Sequence, residues 1–217
     1  MKKARRSEGA IFMKKKKIIC YIFIGVSFLF ALVLAGLYGR QETLQKGIAD
    51  KILRFHVLAN SDSEEDQKLK LAVRDAVGAK MGELLSGVES REEAKAVVLS
   101  KRDVIIETAE KTILEAGYDY TVDARLGEVE FPKKTYGKYT FPAGKYEALE
   151  VIIGEGEGQN WWCVMYPNMC FSGTVYEVVE DRAEEELREV LSEEEYENVL
   201  NSGNYEVRFK YFSFLNR

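Results

Sequence analysis

One histidine, three cysteines, two tryptophans and 36 Asp/Glu residues are the side chains from which this 217-residue chain must draw any chemistry. A single histidine, His56, excludes His-rich zinc sites and the paired-histidine helix of HExxH metalloproteases. His56 lies in the apolar stretch Arg54-Phe55-His56-Val57-Leu58, where a core or sheet-surface role is favoured over a catalytic one. There is no G-x-S-x-G elbow and no Walker motif. The run Gly154–Gly158 lacks the Walker lysine, and its own Glu155 and Glu157 would repel a phosphate. No Asp-Thr-Gly-like triplet marks an aspartic protease. A pair of carboxylates can cleave a glycosidic bond, and Glu128 and Glu130, two apart on a strand, share a face. Such pairs arise by chance, however, in a chain this rich in acids. Cys163 and Cys170 are separated by six residues, which does not fit C-x2–4-C zinc spacing. They are expected to form a disulfide if the body is exported, with two reduced buried thiols as the alternative. Cys20 lies inside an apolar run. Neither a metal nor a cofactor is expected.

Binding chemistry has more candidates. Trp161 and Trp162 are adjacent, so on a strand they face opposite sides. At most one can fill a core unless both faces of the sheet are covered, and an exposed tryptophan is a common interface anchor. Asn60 and Asp62, with Ser61 between them, could hold a ligand at a strand end. The same residue types serve equally as a turn and a helix N-cap.

The elements that must position these residues begin with a basic head. Residues 1–39 carry eight Lys/Arg against one acid, whereas the remainder carries 23 basic and 35 acidic residues, a split of +7 and −12. An acidic body does not favour nucleic acid. Ile18–Leu37 contains no charge, and twenty helical residues span about 30 Å, the hydrocarbon thickness of a bilayer. Lys14–Lys17 precede it and only Arg40 follows closely, so positive-inside bias holds the N-terminus in the cytoplasm and sends the body across. The run is longer than a usual signal core. It reads as an uncleaved anchor, with a cleaved signal as the alternative. Met13 is an alternative start to Met1. The resulting plan is a basic segment 1–17, a transmembrane or signal-anchor helix 18–37, a linker 38–50 (linker or short helix), and one extracytoplasmic domain 51–217.

In that domain, Ile52–Ala59 predicts a buried strand. Ser61 with Glu64, and Ser90 with Glu93, fit capping boxes that open two amphipathic helices. The first has its stripe at Leu69, Val73, Val77 and Met81, and the second runs from Ala94 to Ile113 before Gly117. The period then becomes two from Tyr120 to Leu126. Tyr146–Ile153 and Asn160–Met165 predict two antiparallel strands flanking the glycines. Residues 181–191 predict a helix, Ser192 and Glu195 cap another ending near Leu200, and Tyr205–Phe212 alternates as a last strand. Segregated helices and strands argue for an α+β domain with a mainly antiparallel sheet.

Four ordered segments carry a resemblance. They are Arg54–Gln67 (RFHVLANSDSEEDQ) running on to Val77, Phe131–Gly137 (FPKKTYG), Phe141–Leu149 (FPAGKYEAL), and Gly154–Pro167 (GEGEGQNWWCVMYP) closing at Cys170-Phe171. Behind one export segment, this pattern resembles the stage II sporulation protein R family over roughly residues 52–171. The resemblance implies a non-enzymatic signal made in the forespore and exported into the space between the forespore and mother-cell membranes. There the family activates a membrane-embedded aspartic protease, stage II sporulation protein GA, which removes the pro-sequence of sigma-E. The rival reading is an extracytoplasmic cell-wall hydrolase at the sporulation septum. Trp161, Trp162, Asn60 and Asp62 are the expected partner contacts.

Overall fold

The computed structural model describes residues 2–169 and 180–201, and the chain divides into two units between Thr43 and Leu44. The first unit holds most of helix α1 (Lys2–Ala49). From Tyr21 to Leu37 its apolar side chains face outward, Phe23 at 73% exposure and Phe30 at 63%. An exposed apolar surface of this kind is costly in water and stable in lipid. The segment is long and apolar enough to cross a membrane.

In the second unit, the last turn of α1 is part of the body's core. Ile48 is fully buried and Ala49 nearly so. Gln45 Nε2 donates to Lys145 O at 3.1 Å, and Lys51 pairs with Glu195 at 2.6 Å. The sequence plan assigned Gln45, Ile48 and Ala49 to a linker or short helix at 38–50. They are helical, and they pack inside the domain.

The centre of the body is a four-stranded sheet in the order β2-β5-β1-β6. β1 (Leu53–Leu58), β2 (Val122–Phe131), β5 (Gly144–Ile153) and β6 (Asn160–Tyr166) make it, while β3 (Lys134–Tyr136) and β4 (Tyr139–Phe141) form a separate hairpin. β1 runs parallel to β5 and antiparallel to β6, and β2 is antiparallel to β5. β5 and β6 flank the glycines as the sequence predicts, yet they are not neighbours in the sheet. The two strands do run antiparallel, but β1 lies between them. The reason is the apolar run of β1, buried from Leu53 to Val57: a strand with no water-facing side stabilises the sheet most from its centre.

Helices cover one face. α2 (Glu64–Leu84), α3 (Arg91–Ser100) and α4 (Arg102–Glu115) bury Val73, Val77, Met81, Val98, Ile105 and Ile113 against Phe55, Val57, Leu149 and Val151. Each such side chain removed from water contributes about 1.5–3 kcal/mol. The sequence stripe from Ala94 to Ile113 is two helices, broken at Lys101, which lies outside helical geometry at φ −110° and ψ 15°. Nor is the first cap where the sequence placed it. Ser63, not Ser61, accepts the Asp66 N–H at 3.1 Å, because Ser61 Oγ is directed to the Asp66 carboxylate. The second box holds, with Ser90 Oγ accepting from Glu93 N.

The other face is covered too. The end of α1, the β3–β4 hairpin, α5 (Glu180–Val190) and α6 (Glu193–Asn201) bury Phe131, Tyr139, Phe141, Tyr146, Leu187, Tyr196 and Val199. Ser192 and Glu195 cap α6 reciprocally, with Ser192 N donating to Glu195 Oε2 at 2.7 Å. The expected strand at 205–212 lies outside the described residues. The domain is α+β, a mainly antiparallel sheet enclosed on both faces.

Candidate functional site

The end of β1 becomes a polar lock because short polar side chains offer the backbone partners outside regular structure. Asn60 Nδ2 and Ser61 Oγ both donate to Asp66 Oδ2, at 2.9 and 2.6 Å. Gln67 Nε2 donates to Ser61 O at 2.9 Å. These donors, Ser61 first and Asn60 next, hold the Asp66 carboxyl below its ordinary value of 3.8.

The glycine turn docks onto this lock. Glu155 N donates to Asn60 Oδ1 at 3.0 Å, Gln159 N to Asp62 Oδ1 at 2.7 Å, and Gly158 N to Ala59 O at 2.9 Å. Glycine is required at Gly158, since a Cβ there would strike the backbone carbonyl of Ser61. Lys70 closes the arrangement, donating to Gln159 O at 3.0 Å and to Gln67 Oε1 at 2.6 Å. Burial pushes its ammonium down from its ordinary value. Asn60 and Asp62 therefore join two loops of the same chain.

The tryptophans follow on β6, one on each face as the strand period demands. Trp161 meets Phe55 edge-on at 5.7 Å on the side of α2, with the Arg74 guanidinium 5.2 Å from its ring. Trp162 stacks on His56 at 3.8 Å and 12°, and meets Phe131 edge-on at 4.5 Å on the other side. Both are half-buried. Neither is a bare anchor, because both faces of the sheet are covered.

His56 is 2% exposed. Burial among aromatic rings lowers its pKa from 6.5 to about 4, the positive Arg54 adds to the shift, and the polar Asn160 side chain opposes it. The Glu150 carboxylate lies 3.3 Å from Nδ1, yet burial raises that carboxyl above its ordinary value, with Arg125 opposing. Both groups are thus biased toward their neutral forms.

Two residues from His56 along β1, Arg54 is fully buried. Its Nε donates to Cys163 O at 3.0 Å and its Nη2 to Tyr136 Oη at 2.9 Å. Phe131, Tyr146, Phe141 and Tyr136 surround the guanidinium at 4.2 to 5.8 Å, a cation–π cage. Tyr136 in turn donates to Trp162 O at 3.0 Å. Sequence reasoning missed this hub. Its signal was an arginine inside a mostly apolar strand, together with five aromatic residues from position 131 to 146, four of which form the cage.

Cys163 is buried on β6, at 4% exposure, whereas Cys170 lies outside the described residues. Glu128 pairs with Lys145 at 2.9 Å and is well exposed. It lines a depression of about 250 Å³ beside Glu147. The Glu147 carboxylate is taken up by Arg91 and Lys95. Among the described residues, no group of His, Cys, Asp or Glu is placed to hold a metal ion.

Comparison with known proteins converges on one family. The model of the family described as stage II sporulation protein R matches residues 49–176. Stage II sporulation protein R of Bacillus subtilis (strain 168) is 37% identical over 195 residues, covering 86% of this chain and 85% of the relative. No solved structure matches the chain.

Proposed function

The chain belongs to the stage II sporulation protein R family, and from that premise we propose that it is an exported sporulation signal. It acts without chemistry of its own, by binding and activating a membrane-embedded aspartic protease, stage II sporulation protein GA, so that pro-sigma-E is processed in the mother cell. The N-terminus stays in the forespore cytoplasm, and the body works in the space between the forespore and mother-cell membranes. The observation that carries this reading is an apolar, outward-facing N-terminal helix ahead of a body whose conspicuous polar residues are committed to folding. Asn60, Asp62 and Asp66 lock loops, His56 is packed under Trp162, and Glu128 is ion-paired. A ligand can shift a protease's conformational equilibrium only through differential affinity for its states, which requires a surface and not a catalytic dyad.

A Cys163–Cys170 disulfide belongs to the same reading, since an exported body meets an oxidising compartment. It is supported by the burial of Cys163. Mass spectrometry of protein taken from its native compartment should find one internal bridge; two free thiols would remove it from the account.

The test of the main reading is co-expression of the chain with the protease and pro-sigma-E in a non-sporulating host. Processing should require the chain and should fail when residues 18–37 are deleted. Processing that proceeds equally well with a body retained in the cytosol would refute the reading. The hydrolase alternative predicts instead that Glu128→Gln or Glu130→Gln abolishes activity with the fold intact.

A further inference from the structure

Helix α1 is continuous from Lys2 to Ala49, so the basic segment and the apolar run share one helical axis. Lys14, Lys15, Lys16 and Lys17 end where Ile18–Leu37 begins. Successive helical residues turn by about 100° and rise by about 1.5 Å. Four consecutive lysines therefore occupy positions all round the axis, a collar about 6 Å tall. A bilayer is about 40–45 Å thick in all, with about 30 Å of hydrocarbon, which leaves a headgroup layer of roughly 5–8 Å on each side. With the apolar run in lipid, the collar has the height and the level of one headgroup layer. Tyr21 and Tyr38 lie about 26 Å apart along the same axis. They are 70% and 75% exposed, near the two boundaries where such amphipathic rings settle.

The sequence bounds how far this charge can be cancelled within its own segment. Glu8 is the one acid among residues 1–39, so pairing can remove at most one of the eight Lys/Arg charges there. Those charges form two groups. Lys2, Lys3, Arg5 and Arg6 lie about 18 Å or more along the axis from Ile18. That is beyond two Debye lengths of about 8 Å at physiological salt, so their attraction to the membrane surface is largely screened. Lys14–Lys17 lie within one. At the far end of the run stand Arg40 and Glu42, one charge of each sign. The electrostatic preference of the helix for lipid therefore rests on the collar and concerns one leaflet.

We propose that the Lys14–Lys17 collar binds anionic phospholipid headgroups, and so selects the lipids of the leaflet on the N-terminal side. An ammonium is a compact point charge with three donors, so it meets phosphate oxygens from any direction and reads charge in preference to headgroup shape. A zwitterionic headgroup carries the same phosphate together with a cation, which the collar repels. This inference requires that residues 18–37 lie in lipid; it does not require the signalling function.

The test uses the full chain reconstituted in phosphatidylcholine vesicles with a trace of spin-labelled phosphatidylglycerol or spin-labelled phosphatidylcholine. The fraction of label immobilised by the helix is read by electron spin resonance. Wild type should immobilise the anionic label several-fold more than the zwitterionic one, and the preference should shrink as salt rises from about 0.1 M to about 0.5 M. Lys14→Gln, Lys15→Gln, Lys16→Gln and Lys17→Gln together should bring it close to unity. Lys2→Gln, Lys3→Gln, Arg5→Gln and Arg6→Gln together should leave most of it. Glutamine is nearly as good a helix former as lysine, and the apolar run is untouched, so both variants should insert and keep their circular dichroism. Equal preference in wild type and the collar variant overturns the proposal, as does a preference lost only in the distal variant. Displacement of the anionic label by inorganic phosphate at constant ionic strength overturns it too, because the site would then belong to the free ion.

Discussion

Acid should unfold this domain earlier than its carboxylates alone would require, because His56 is held neutral. Its pKa is about 4 in the folded body against 6.5 ordinarily. A histidine with a depressed folded pKa contributes stability that is complete above the unfolded value and is lost as pH falls from 6.5 toward 4. Between pH 7 and pH 5 the linkage relation gives a loss of about 2 kcal/mol, reaching about 3 kcal/mol below pH 4. Two groups act against this. Glu150, whose carboxyl is raised by burial, adds stability as pH falls, and its charge 3.3 Å from Nδ1 would favour the imidazolium. The stacked Trp162, the edge of Phe131 and the positive Arg54 outweigh it. The assay is urea unfolding in non-ionic detergent at pH 7, 6 and 5, followed by fluorescence of Trp161 and Trp162, the two tryptophans of the chain. His56→Phe keeps the stack on Trp162 and removes the titration. Wild type should lose about 2 kcal/mol more than the variant between pH 7 and 5, or about 1 M in urea midpoint. A wild-type stability that stays level with the variant, or rises, over that interval would show that the Glu150 pair wins and that the reasoning from burial is wrong.

Asp66→Asn should cost about 1–2 kcal/mol at pH 7 by weakening the charge-assisted bonds from Ser61 and Asn60. Because the Asp66 carboxyl is held low, the stability that it contributes is present above the ordinary value of 3.8 and vanishes below it, so acid titration of the two proteins should converge there. Gly158→Ala should cost about 2–3 kcal/mol, since its Cβ meets the Ser61 carbonyl. Gly127→Ala, which meets nothing within 4 Å, should be neutral or stabilising by about 0.5–1 kcal/mol; urea midpoints of the pair check both. Arg54→Lys removes the planar donor set that reaches Cys163 O and Tyr136 Oη together, with an expected loss of about 2–3 kcal/mol in the same measurement.

The apolar runs were the legible part of this sequence. β1 and the stripe of α2 declare themselves through period and stand where they were expected, and the apolar run 18–37 declares itself through length, although it lies inside a longer helix, Lys2–Ala49. The capping box at Ser192 and Glu195 was readable for the same reason, a local pattern with a local cause. What was hidden was pairing across distance. Nothing in Tyr146–Met165 says that β1 enters between the strands flanking the glycines. That depends on which strand has no face to give to water, and the answer comes from comparing segments a hundred residues apart. The Lys101 break was equally silent, since the apolar stripe continues in step across it. Asn60 and Asp62 looked alike as ligand or turn residues. Only their partners in the fold, Glu155 N, Asp66 Oδ2 and Gln159 N, separate the two.

A protein that works by being recognised must carry some residues whose cost to the fold has no return within the fold. Most conspicuous residues of this chain fail that criterion. The tryptophans fill space on two covered faces, His56 and Arg54 sit inside aromatic packing, and the Asn60–Asp66 turn exchanges hydrogen bonds with the glycine loop. A sheet enclosed on both sides has given its faces to its own helices and hairpin. It leaves the grooves between elements as the concave surface available to others. On this reasoning the segments that make the family resemblance strongest record mainly how the body folds.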